Sequence, residues 1–133
     1  MNKWSPLLLS VLRIVAGLLF VEHGTQKVFG FPPSAEVHQA HAMSPMMMHL
    51  AAASGYIELI AGALILLGLF TRFAAFIASG EMAVAYFTAH VGGGIYPINN
   101  HGELAVLYCF VFFYLVFAGS GPLSLDGLIR KKA

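Results

Sequence analysis

Apolar stretches of membrane-crossing length recur from one end of this chain to the other, which leaves it few ways to fold. A helix needs about 17–25 apolar residues to cross the hydrocarbon core, and the runs that qualify are about 5–29, 45–70, 73–91 and 103–119. Charged residues make up 10% of the chain, against about 25% in an ordinary soluble domain. Mean hydropathy is +0.79. The first run is expected to stay as a helix rather than leave as a signal peptide, because apolar segments continue to the C-terminal end and no small-residue cleavage site follows residue 20.

The boundaries carry their own signals. Ser44 before Pro45 reads as an N-cap with proline at the first helical position, and Gly30-Phe31-Pro32-Pro33 stops the first helix. Between the second and third runs only Thr71 and Arg72 remain, so those helices must form an antiparallel hairpin. Lys3, Arg72 and Arg130-Lys131-Lys132 fall on one side against Lys27 on the other. The positive-inside rule then puts both termini in the cytoplasm. The fold expected is an all-α membrane protein, a single domain over residues 1–133 built as a four-helix antiparallel transmembrane bundle in a cell inner membrane. Its first partner is the lipid bilayer. The one basic cluster is short and sits where topology needs it, so no nucleic-acid partner is expected. A lone Cys109 excludes an internal disulfide and a C-x-x-C redox pair.

Inside these runs stand Arg13, Glu22, Glu58, Glu81 and Glu103. Each charge in hydrocarbon costs roughly 2.5–3.5 kcal/mol unless paired or solvated. Counting 1.5 Å per residue from the cytoplasmic ends places Arg13 and Glu81 about 12–14 Å deep. Arg13 shares a face with Ser10, Ala16, Gly17 and Gly24, and Glu81 with Ala74, Ala78 and Ala85. Small residues let membrane helices approach closely, so an Arg13–Glu81 ion pair is predicted, pinning the first and third helices. Deeper toward the outer face, about 18–27 Å by the same count, lie Glu22, His23, Glu58, Tyr86, His90 and Glu103, with Gln26, Lys27 and Asn100 around them. These nine are the candidates for ligand binding or proton handling. Arg13 and Lys27 face four glutamates, so either some carboxyls hold protons or His23 and His90 are charged. The plainer alternative is that Glu103 and Lys27 reach out to the headgroups. Glu22 lies nearly opposite Arg13 around the first helix, so the two cannot face one point.

Other patterns carry less. His23 and His90 at similar depth could ligate a haem between two helices, but a lone histidine pair more often bonds carboxylates and haem is not expected. His38, His41, Met43, Met46, Met47, Met48 and His49 offer soft ligands of the kind Cu(I) takes, yet without metal spacing, and no metal site is expected. The segment "GGGIYPINN" lacks the lysine and the strand of a phosphate loop and reads as a tight cap over the outer mouth of the bundle.

The strings "LRIVAGLLFVEHGTQKVFGF", "GYIELIAGALILLGLFTRFAAF", "EMAVAYFTAH", "YPINNHGELAVLYCFVFFYL" and "GSGPLSLDGL" resemble, in order, the DoxX family of small bacterial membrane proteins. The resemblance covers about residues 12–128 and departs mainly at 32–49. Residues that match its pattern are Arg13, His23, Gly24, Gln26, Lys27, Glu58, Arg72, Glu81, His90, Asn100, Glu103 and Asp126. The resemblance implies an inner-membrane four-helix protein tied to quinone-linked or thiol-linked redox systems, sometimes as a small subunit beside a soluble enzyme. Relatives in the wider superfamily act as ligand-binding or assembly factors. Two functions follow. In one, the outer layer and its cap hold a quinone-like or other amphipathic molecule, Glu58 and His90 handle protons, and a redox partner protein supplies electrons. The chain has no cysteine pair and no flavin or nicotinamide fingerprint, which confines it to a subunit's role. In the other, the buried charges bind a ligand or pin helices without chemistry. Convergence of Glu22, His23, Glu58, His90 and Glu103 on one cavity would favour the first.

Overall fold

The computed structural model describes residues 3–34 and 43–132. His38 and His41 of the histidine and methionine loop lie outside the described residues. Six α-helices follow one another, α1 (Ser5–Phe29), α2 (Pro45–Leu67), α3 (Thr71–Ala85), α4 (Pro97–Asn100), α5 (Glu103–Ala118) and α6 (Leu125–Lys132), and no strand occurs among the described residues. α1 and α2 are long and apolar enough to cross a membrane, and α5 is a shorter apolar helix. Leu8, Leu18, Ile60, Phe73, Phe76, Phe110 and Phe117 stand on the outside of the bundle. A continuous apolar exterior of this kind is rare on soluble monomers.

The first two helices begin and end where their local chemistry demands. Ser44 accepts the Met47 N–H at 3.3 Å and caps α2, and α1 ends at Gly30, whose φ of 68° is left-handed and costs glycine little. At the far end of α2 the sequence-based boundary needs correction. α2 stops at Leu67, not near residue 70, because Gly68 turns left-handed with φ 70°. A Cβ at Gly68 would lie 2.5 Å from the Ser124 Cβ and 3.0 Å from the Arg13 guanidinium carbon, so glycine also makes room for those side chains. The hairpin turn is therefore Gly68–Phe70, and Thr71 already belongs to α3. α3 is regular only to Ala85, after which Tyr86–His90 form a π turn and Val91–Gly93 a 3-10 turn. Single π turns in α-helices mark functional sites often enough to direct attention there.

α1 packs along α2 and α3 along α5, with the α2–α3 hairpin joining the pairs. In the first pair the backbones touch. A Cβ on Gly17 would stand 2.6 Å from the Leu66 nitrogen, and one on Gly24 2.5 Å from the Leu59 nitrogen. Gly55 and Gly62 answer from α2. In the second pair the alanine face of α3, Ala74, Ala75 and Ala78, is buried. Phe20 bridges the pairs, its ring centroid 4.7 Å from that of Phe112 and 5.5 Å from that of Tyr108. The end that holds Ser10, Gly68 and Leu123 is called basal below, and the end that holds His90 and Asn100 apical.

Candidate functional site

At the basal end Arg13 is 1% exposed and makes no pair with Glu81. Its guanidinium donates to the Ile65, Leu66 and Leu123 carbonyls and, at 2.8 Å, to that of Ser120. Ile65 and Leu66 lie in the last turn of α2, where carbonyls lack partners within the helix. The predicted ion pair fails for a geometric reason. With Gly17 level with Leu66, α1 starts about three turns beyond the end of α2, so counting each helix from its own first residue set Arg13 too deep. Two more charges serve helix ends here. Asp126 accepts the Phe70 and Thr71 N–H groups at 3.0 and 3.1 Å and caps α3, and Arg72 donates to the Val116 carbonyl at 3.0 Å near the end of α5.

Glu81 instead belongs to a cluster higher up. Lys27 reaches Glu58 Oε1 at 2.7 Å and Ser54 Oγ at 2.9 Å, and the Ser54 hydroxyl donates to Glu81 Oε1 at 2.6 Å. Ser54 also lies 3.4 Å from Glu58 Oε1. Glu58 is 2% exposed while the Lys27 side chain is 37% exposed, so the ammonium folds back into the bundle rather than reaching only for headgroups. Sequence reasoning missed the role of Ser54. Its spacing of four residues from Glu58, one helical turn, was the available signal.

Tyr86, His90 and Asn100 form the apical cap. Asn100 donates from Nδ2 to the Gly94 carbonyl at 2.7 Å and to the Tyr86 hydroxyl at 3.3 Å, and its Oδ1 accepts the Gly102 N–H at 2.8 Å. The Tyr86 hydroxyl in turn donates a hydrogen bond to the Ile95 carbonyl. His90 Nδ1 is 3.1 Å from the Asn100 carbonyl. A carbonyl only accepts, so the Nδ1 carries the proton. The glycine-rich segment thus folds back over the end of α3, against Tyr86 and Asn100 and not over the carboxylates.

A separate groove runs between α1 and α5. It encloses about 320 Å³ and is lined by Leu19, Glu22, His23, Gln26, Pro32, Leu104 and Tyr108. The His23 ring stands edge-on to Tyr108 with centroids 5.9 Å apart, and Gln26 donates to the Pro32 carbonyl at 3.1 Å. Next to it a cavity of about 400 Å³ is lined by His101, Glu103, Leu104 and Leu107. Glu103 itself is exposed at the first turn of α5. There a negative charge suits the helix N-terminus. The five outer-layer residues therefore do not converge. Glu22 and His23 line the groove, Glu58 is locked in the ion cluster, His90 sits in the cap and Glu103 borders the neighbouring cavity. Tyr108 and Leu104 were missed, and Tyr108, a hydroxyl in an otherwise apolar run, was the available signal.

The chain matches the DoxX family model over residues 8–91. It is 44% identical to a Haemophilus influenzae protein named "Uncharacterized protein", over 99% of this chain and 98% of that one. It is 30% identical to the Escherichia coli "Inner membrane protein YphA", over 91% and 89% of the two chains. A Bacillus subtilis protein named "Putative oxidoreductase CatD" is 28% identical over 98% of this chain and 93% of its own. No solved structure matches the chain.

Proposed function

This chain belongs to the DoxX family of membrane proteins, and we propose that it is the ligand-binding subunit of a quinone-linked redox system of the inner membrane. In this reading it crosses the bilayer four times with both termini cytoplasmic, the basal end carrying Lys3, Arg72 and the α6 basic residues inward. The single observation that carries the proposal is the α1–α5 groove. It joins apolar walls, Leu19 and Leu104, to two groups able to donate to a ring carbonyl oxygen, His23 and Gln26, and to Glu22, which can accept from the hydroxyl of the reduced ring, with the Tyr108 ring beside them. Binding sites for small amphipathic molecules have this composition, mostly apolar with a few polar groups fixing orientation. Leu18 and Leu107, exposed on the same two helices, offer an apolar surface for a tail in lipid. Electrons must come from a partner protein, and the names of two relatives, "Putative oxidoreductase CatD" and "Inner membrane protein YphA", agree with such a place.

The test is titration of a short-chain benzoquinone into the protein in lipid nanodiscs. His23→Ala should weaken binding roughly tenfold, the loss of one hydrogen bond of about 1.4 kcal/mol; an unchanged dissociation constant would remove the groove as the site. A second reading, a membrane assembly protein without a redox ligand, draws on Arg13, Arg72 and Asp126, which all serve helix ends. It predicts no saturable quinone binding at all.

A further inference from the structure

The Lys27–Ser54–Glu58–Glu81 cluster contains two carboxyl groups and one ammonium, and both carboxyls have an oxygen to spare. Glu58 Oε2 and Glu81 Oε2 are buried and meet no hydrogen-bond partner, although Glu58 is 2% exposed. Ser54 has one proton to give, and it goes to Glu81 at 2.6 Å, the contact with Glu58 being 3.4 Å. Lys27 offsets one negative charge through Glu58 at 2.7 Å. A second carboxylate beside the first, in hydrocarbon and with an unbonded oxygen, has no cation left to balance it.

We infer that this cluster is a proton-binding site, in which Glu58 and Glu81 together hold one exchangeable proton against the fixed charge of Lys27. The inference stands apart from the groove and goes beyond the function proposed above. A proton suits the vacancy in hydrogen bonding where a metal ion does not. Hard cations take six or more oxygens, whereas two oxygens here are unbonded. No group of three or more histidine, cysteine or acidic side chains able to hold a metal occurs among the described residues. The groups that bear on the cluster are Lys27 from α1, Glu58 from α2 and Glu81 from α3, with Tyr108 of α5 next and Glu22 beyond it. Lys27, in the last turn of α1, is 37% exposed. Toward the basal side the α1 and α2 backbones touch at Gly17 and Gly62, and Phe20, Ile65 and Phe112 are fully buried.

Infrared spectroscopy of the full chain in liposomes at neutral pH, with exchange into heavy water, tests the inference without any ligand. The wild type should show the carbonyl stretch of a protonated carboxylic acid, and Glu81→Gln should reduce it to background because Glu58 is then matched by Lys27. Lys27→Met should raise the band area about twofold, both carboxyls now holding protons. Should Glu81→Gln fail to fold by circular dichroism, Glu58→Gln carries the same expectation and Lys27→Met the opposite one. The inference is overturned if the wild type lacks the band, if neither glutamine variant lowers it, or if sodium added at constant pH abolishes it.

Discussion

Arg13→Ala is expected to lower the stability of the bundle by about 3–5 kcal/mol, measured as thermal unfolding in detergent. Four carbonyls lose a charged donor at once, two in the last turn of α2 and two in the segment that follows α5. A bond to a charged group contributes about 1.5–3 kcal/mol, and water at the membrane surface replaces part of the total. Lysine should restore less than half of the loss, because an ammonium cannot reach across that spread as a planar fork does. A double-mutant cycle separates this arrangement from an ion pair with Glu81. The effects of Arg13→Ala and Glu81→Gln should add, whereas a coupling above about 1 kcal/mol would restore the pair that the sequence suggested.

Gly24→Leu should prevent α1 and α2 from packing altogether. Even the first carbon of a side chain at Gly24 would sit 2.5 Å from the Leu59 nitrogen, and backbone cannot swing aside as a side chain can. Gly24→Ala should already cost about 3 kcal/mol, the upper part of the usual range for overpacking. Gly80 on α3 supplies the control. No atom lies within 4 Å of a Cβ built there, so Gly80→Ala should be neutral or stabilising by up to about 1 kcal/mol through helix propensity. Protease resistance and helical circular dichroism report both outcomes. A Gly24→Leu protein as resistant as the wild type would mean that the two backbones are not in contact.

Helix limits were legible where a residue acts through its own backbone. Ser44 with Pro45, and Gly30, mark boundaries that the structure keeps. The small-residue face around Gly17 and Gly24 was legible as a close approach for the same reason, since a missing side chain is a local property, but its partner is α2 and not the third helix. Partners of charges were not legible, because a partner depends on how far one helix slides along another. α1 begins well beyond the end of α2, and that offset turned Arg13 from a supposed mate of Glu81 into a cap for α2. The outer layer was read as one set because depth alone was countable. Around α1, however, Gly24 and Lys27 look toward α2 while Glu22, His23 and Gln26 look toward α5. Tyr108 completes the groove from a helix with no other buried polar side chain, which gave depth counting nothing to pair it with.

The proposed function places ligand binding in the groove, apart from the basal clasp and the ion cluster. The direct measurement is photolabelling of the nanodisc-embedded protein with a photoreactive benzoquinone carrying an apolar tail, followed by mapping of the modified residues by mass spectrometry. Label should fall on Leu19 to Gln26 and on Leu104 to Tyr108, and an excess of unlabelled quinone should suppress it. Competable label on α2 and α3 around Glu58 and Glu81, with α5 unmodified, would contradict the assignment.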